Sequence, residues 1–212
     1  RGAMMAVGET ANNLACCGGG PMGLTYCLNY GNPEKPGIFW QFKNSIYGII
    51  NACDILNIPV ISGNVSLYNE SFGKAIYPTP VIGTAGLIKD IRNLVGMDFK
   101  IKEDVVIQIG FKKGSGSTEN DGIGGSEFME LFFNKVAGIC PDIDLDYEKT
   151  LHRLIIDLIK NGLIRSAHDV STGGIAVTIA ESCISGKTGA KINIDLNEKS
   201  LSLTVLRQEP SG

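Results

Sequence analysis

Two hydrophobic periods follow one another along the chain, and each change of period marks an element. Ala3, Ala6, Val7, Ala11, Leu14 and Ala15 recur at three- and four-residue spacing, which predicts a buried helix of small side chains over residues 3–16. Gly18, Gly19, Gly20 and Pro21 stop it. The apolar run from Gly23 to Leu28 predicts a strand, and Asn29 to Pro36 an irregular loop. Phe39, Phe42, Ile46, Ile49, Ile50 and Cys53 then fall on one face of an amphipathic helix ending near Leu56. Pro59 to Ser62 predicts a buried strand running into a loop at Gly63, and Thr79 to Ile88 a further strand weakened by glycines.

The character changes near residue 90, where we place a domain boundary. Asp104 to Gly110 predicts a strand, and Lys112 to Asn120 a Gly/Ser-rich loop. Gly125-Ser126-Glu127 opens a helix containing Phe128, Met129, Leu131 and Phe132. Tyr147 to Lys160 is a second helix, with Leu151, Leu154, Ile155, Leu158 and Ile159 on one face. Residues 164–169 lead through Gly173-Gly174 into a third, Ile175 to Ile184, and Ala190 to Leu196 predicts a strand. The order is mixed α+β, without a short internal repeat.

Composition agrees with a packed core. Of 212 residues, 43% are hydrophobic and 19% charged, and seven of the 27 glycines fall in the clusters Gly18-Gly19-Gly20, Gly124-Gly125 and Gly173-Gly174 at element junctions. A net charge of -3 without a basic run gives no general attraction to nucleic acid. The six cysteines form no CxxC pair and sit inside apolar runs, as expected of reduced, buried thiols in a cytoplasmic protein. The sequence shows no signal peptide and no apolar run of membrane-spanning length. It starts inside a helical pattern and stops as a strand begins, so we expect a piece of a longer polypeptide.

Four loops carry candidate chemistry. Gly63 to Glu70 offers a glycine for close backbone approach, Asn64, Asn69 and Glu70 oxygens for a hard cation, and a Ser66 hydroxyl for an anionic group. The same residue types also make ordinary turns. Asn29 to Pro33 reads first as a surface turn. At Ala167 to Gly174, a Gly pair before a helix offers backbone N–H groups to an anion, whereas Asp169 reads as a helix cap. Gly122 to Glu127 is a similar loop-to-helix junction that matches neither the phosphate-loop nor the dinucleotide fingerprint. No Ser/His/Asp order, HExxH motif or cysteine-nucleophile context is present, and Cys16-Cys17 reads as core.

The blocks Leu24-Thr25-Tyr26-Cys27-Leu28-Asn29-Tyr30-Gly31-Asn32-Pro33, Phe39-Trp40-Gln41-Phe42, Ile58 to Glu70 and Pro78 to Gly83 occur in an order that resembles the second half of the phosphoribosylformylglycinamidine synthase family, the small-type PurL subunit. Gly124 to Phe128 and Ala167 to Ala176 continue the likeness. The latter block is shared more widely among relatives of aminoimidazole ribonucleotide synthetase.

The resemblance implies an α+β fold, with an aminoimidazole ribonucleotide synthetase-like N-type α/β domain over residues 1–90 and a partial mixed α+β C-type domain over 91–212. It implies a ligase of purine biosynthesis that uses ATP and magnesium. That ligase activates the amide of formylglycinamide ribonucleotide as an iminophosphate, which ammonia from glutamine displaces. The implied partners are a glutaminase subunit, a small accessory subunit and the missing first half of the same chain, whose N-type domain packs on this one. No nucleic acid or membrane partner is implied.

By the same likeness, Tyr26 and Gly63 contact nucleotide, Asn64 binds magnesium and Ser66 contacts substrate. No catalytic residue is implied within this stretch, and His168 is not assigned as a base. The family usually has Asp at the position of Tyr26, and a phenol is no substitute for an anionic acceptor. Two alternatives stand beside this reading. One is a non-catalytic half that holds a nucleotide. The other is a different ATP-using relative, such as selenophosphate synthetase or a hydrogenase maturation factor.

Overall fold

The computed structural model describes residues 1–110 and 124–192. Helix α1 (Gly2–Cys16) buries Ala3, Val7, Ala11 and Ala15, the small-residue stripe that the spacing predicts. Strand β1 (Gly20–Asn29) follows, longer at both ends than its apolar run. Helix α2 (Pro36–Leu56) starts with Pro in its first turn, where a missing N–H costs nothing, and ends at Asn57 in the left-handed region. Its buried stripe is Gly48, Ile49, Ala52, Cys53 and Leu56. Phe39 and Ile50, expected inside, are about half exposed (51% and 49%), because the stripe that meets α1 lies to one side of them.

Strands β2 (Val60–Ser66) and β5 (Thr79–Leu87) flank β1 in the order β2-β1-β5. The β1–β2 pair is parallel, joined by the α2 crossover, and the β1–β5 pair is antiparallel. A two-stranded hairpin, β3 (Glu70–Ser71) and β4 (Lys74–Ala75), projects between β2 and β5. Its turn places Phe72 at φ 49° and Gly73 at φ 73°, as a tight two-residue connection requires.

The pleat of the sheet decides which residues meet the helices. Leu24 and Leu28 of β1 join Ala3, Val7, Ile49, Ala52, Cys53, Leu56 and Ile58 in one apolar cluster, with Tyr26 and Ile82 packed against it. Along β5, residues 79, 81, 83 and 85 are exposed, and they alternate with half-buried neighbours. The helices therefore cover one face of the sheet and leave the other open.

Two predicted features of this region are corrected. Pro59 to Ser62 does not form a buried strand: every residue from Val60 to Val65 is exposed, because β2 is the sheet edge and no described strand lies beyond it. The strand also continues to Ser66, so Gly63 lies inside it and not in a loop.

After a 3-10 turn at Ile91–Asn93 the described chain is helical: α3 (Glu127–Phe133), α4 (Leu145–Lys160) and α5 (Gly174–Gly186). Ser126 and Asp144 cap α3 and α4, their side-chain oxygens accepting from the N–H groups of Met129 and Tyr147. Residues 104–110 form no strand. No described strand pairs with them, and Val105 and Ile107 are 83% and 69% exposed. Residues 190–192 likewise form none, while the remainder of that predicted strand and the loop from Lys112 to Asn120 lie outside the described residues.

Helix α4 docks on both helices of the first part. The Lys149 ammonium donates to the Ile55 carbonyl at 2.6 Å. The buried His152 donates through Nε2 to Asn12 Oδ1, with Glu148 Oε2 3.9 Å away. Burial lowers the His152 pKa to about 4, so the ring is neutral at pH 7 and suits this closely packed contact. Among the described residues no helix is long and apolar enough to cross a membrane.

Candidate functional site

The four residues singled out from the sequence divide between the two faces of the sheet. Across β1 and β2, Tyr26 pairs with Gly63, Cys27 with Asn64, and Asn29 with Ser66. Side chains alternate along a strand, so Tyr26 and Gly63 face the helices while Asn64 and Ser66 face the open side.

The packing agrees with this division. Tyr26 packs against the helix-side core, and its ring lies directly over Gly63. A Cβ built on Gly63 would come within 2.3 Å of Tyr26 Cε2. The glycine thus makes room for a tyrosine ring in this chain, a role that residue type alone did not reveal.

On the open face the cross-strand contacts are polar. The Ser62 hydroxyl donates to Thr25 Oγ1 at 2.7 Å, and the Asn64 amide donates to Cys27 Sγ at 3.5 Å. Ser66 Oγ donates to Asn69 Oδ1 at 3.2 Å. Val81, Gly83 and Ala85 of β5 continue this face with small or short side chains. The result is a shallow polar shelf open to solvent.

Two other predicted cation ligands are already engaged. Glu70 accepts from the Lys35 ammonium at 2.8 Å. The Asn69 amide donates to the carbonyls of Ser66 (2.9 Å) and Tyr30 (3.1 Å), which locks the chain where it leaves β2. Asn64 remains as an exposed neutral oxygen ligand. Among the described residues no group of three His, Cys, Asp or Glu is placed to hold a metal ion. A single carbonyl oxygen on an open shelf fits magnesium that arrives with phosphates and water completing its shell, and does not fit a dedicated protein cage.

The loop from Asn29 to Pro33 is not the surface turn expected. Tyr30 is 1% exposed, the largest fully buried side chain among the described residues, and stands edge-on to Phe42 at 5.3 Å between ring centroids. Asp169 is not the helix cap expected either. The cap position of α5 belongs to Gly173 at φ 87°, without a side-chain bond, so nothing beyond the helix start itself supports an anion site there. Of the junction at 122–127, Gly122 and Ile123 lie outside the described residues.

Asp169 is instead buried, its side chain 4% exposed. Its Oδ1 lies 3.2 Å from His168 Nδ1, and His168 Nε2 lies 3.0 Å from Glu181 Oε2. Both contacts are hydrogen bonds when both ring nitrogens carry hydrogen. Asp169 Oδ2 has no ordinary donor. Burial, then the Asp169 charge and a carboxyl–carboxyl hydrogen bond with Asp169, pushes the Glu9 carboxyl on α1 up to about 7, so the two groups share one proton. Burial also pushes the neighbouring Cys16 thiol up to about 12, which makes it inert. All six cysteines are free, but only Cys53 is buried and Cys17 is exposed, so the buried-thiol expectation holds for one of them.

The Glu9–Asp169 contact has a signed pH dependence. Glu9 keeps its proton when folded between about 4.5 and 7, where the unfolded chain has lost it. The stabilisation is therefore full below that window and is lost as pH rises through 7. Glu9→Gln keeps a donor but does not titrate. In urea unfolding, the stability of this variant relative to the parent is expected to rise with pH across the window. A difference that stays flat with pH would contradict the shared proton.

Comparison with known proteins places the fold in one family. Residues 1–88 match the AIR synthase related protein, N-terminal domain, and residues 103–212 match its C-terminal domain. The chain belongs to the AIR synthase related family, and its fold is the α+β arrangement of that family's two domains. It is 54% identical over 193 residues to the phosphoribosylformylglycinamidine synthase subunit PurL of Caldanaerobacter subterraneus subsp. tengcongensis. That match covers 91% of this chain and 25% of the relative, so the chain spans about a quarter of its length. Among solved structures, T. maritima PurL complexed with ATP is similar at 25% identity and a TM-score of 0.52, over 93% of this chain and 27% of that one. The PurLQS structure from Thermotoga maritima is similar at 25% identity and a TM-score of 0.55, over 98% of this chain and 28% of that one.

Proposed function

We propose that this chain is part of a phosphoribosylformylglycinamidine synthase, a ligase of purine biosynthesis, and forms one wall of its magnesium- and ATP-dependent site. The observation that carries the reading is the shelf itself. Asn64 and Ser66 stand side by side on an open, hydrogen-bonded sheet face, in a chain that shares more than half its residues with a PurL subunit over its matched length. When bound, magnesium supplies charge neutralisation to phosphate oxygens. Asn64 holds it through Oδ1, and Ser66 offers its hydroxyl to formylglycinamide ribonucleotide. Gly63 meets nucleotide through the backbone of an exposed edge strand, and Tyr26 bounds the site from the helix side.

On this reading the N-type domain of the missing first half of the chain packs on the open face, and the general acid and base come from it. The division into domains at residues 1–90 and 91–212, the glutaminase and small accessory subunits that deliver ammonia, and a cytoplasmic location belong to the same proposal. The full-length protein, supplied with formylglycinamide ribonucleotide, ATP, magnesium and an ammonia source, is expected to release ADP and phosphate together with formylglycinamidine ribonucleotide. ADP release that does not depend on the ribonucleotide would contradict it.

A second reading is a half that keeps a nucleotide without turning it over. Nucleotide released by denaturing the full-length protein, unchanged after turnover with isotopically labelled ATP, would identify that case.

A further inference from the structure

We propose that Cys27 is a positioning residue, which tethers the amide nitrogen of Asn64 and so aims its carbonyl oxygen at a bound cation. The proposal rests on the reading of Asn64 as the magnesium residue. Cys27 and Asn64 are direct cross-strand partners on the open face. Asn64 Nδ2 donates to Cys27 Sγ at 3.5 Å, and Asn29 Nδ2 donates to the same sulfur at 3.6 Å. A further contact of the thiol is with Asn29 Oδ1 at 4.0 Å, in the direction of an S–H donor. With its S–H directed toward Asn29, the sulfur serves as acceptor toward Asn64 and favours the orientation in which the amide nitrogen faces it.

An asparagine side chain is a two-ended group, so fixing the nitrogen end fixes the oxygen end. On an exposed edge strand an untethered Asn64 would sample several rotamers and both amide orientations, and a cation would have to select one of them. A thiol is a weak acceptor, yet it meets this demand from the neighbouring strand, directly opposite the residue it holds. The rung formed by Ser62 and Thr25, at 2.7 Å, shows that a hydroxyl pair spans the same gap between the strands. Serine at position 27 would keep an acceptor, whereas valine would fill the space and remove it.

The test uses the full-length protein with Mn2+ as the spin probe, titrated in the presence of ADP and followed by the free-ion electron paramagnetic resonance signal. Cys27→Val is expected to weaken Mn2+ binding about tenfold, and Cys27→Ser to stay within about twofold of the parent, the scale on which groups that orient a metal ligand act. ADP binding without metal and the melting temperature are expected to be unchanged in both. Parent-like Mn2+ binding in Cys27→Val, alongside loss in Asn64→Ala, would overturn the positioning role and leave Asn64 on the metal. Equal loss in the valine and serine variants would also overturn it, by assigning the effect to packing. Parent-like binding in Asn64→Ala would instead overturn the metal reading on which the proposal rests.

Discussion

Replacing Tyr30 with alanine is expected to destabilise the folded chain by about 3–5 kcal/mol, the range for emptying a large aromatic site in a core. Tyr30 is 1% exposed and touches Phe42 edge to face, next to Leu24 and Leu28 in the apolar cluster. Its backbone is held as firmly as its ring. The Tyr30 N–H donates to the Ser66 carbonyl at 3.0 Å, and its own carbonyl accepts from the Asn69 N–H at 3.0 Å and from the Asn69 amide at 3.1 Å. Collapse into the vacated space would pull on the end of β2, two residues beyond Asn64. Urea unfolding of the variant checks the magnitude, and a loss below about 1 kcal/mol would show that the ring is not the keystone of this cluster.

Asn64→Ala carries the largest expected effect on activity, a fall of about 10- to 100-fold in magnesium-dependent turnover by the full-length protein. The side chain is exposed and its only described partner is the Cys27 sulfur, so its removal leaves no buried group unsatisfied. The variant is therefore expected to melt with the parent. Its defect should lessen as magnesium is raised, because a weakened site can still be filled by mass action. A defect that is unchanged at saturating magnesium, or a parent-like rate, would contradict the role given to this residue.

Much of the first half was legible because its helices carry strong periodicity. Ala3, Val7, Ala11 and Ala15, and Ile49 and Cys53, lie on the faces that their spacing implies. The strand ends were not legible. Gly63, Asn64 and Ser66 are turn formers by type, and only pairing with β1 holds them extended. Once they are seen in a strand, the parity of their numbers places Asn64 and Ser66 on one face and Gly63 on the other.

Tyr30 was hidden by its neighbours Asn29, Gly31 and Asn32, which mark a turn whatever the residue between them does. Residues 104–110 have the composition of a strand but no described partner, and a ladder needs one. Nothing in the sequence pointed to Glu9, since its partner Asp169 is 160 residues away and no local pattern joins them.

The central claim is that the open face of the β2-β1-β5 sheet bears a metal-nucleotide site through Asn64. Its most direct test is diffraction from crystals of the full-length protein grown with ADP and Mn2+, using the anomalous signal of the metal. A peak is expected about 2.1 Å from Asn64 Oδ1, the distance of a small divalent cation from an oxygen ligand, with nucleotide phosphate on its far side. Nucleotide and metal bound elsewhere, with Asn64 uncoordinated, would contradict it.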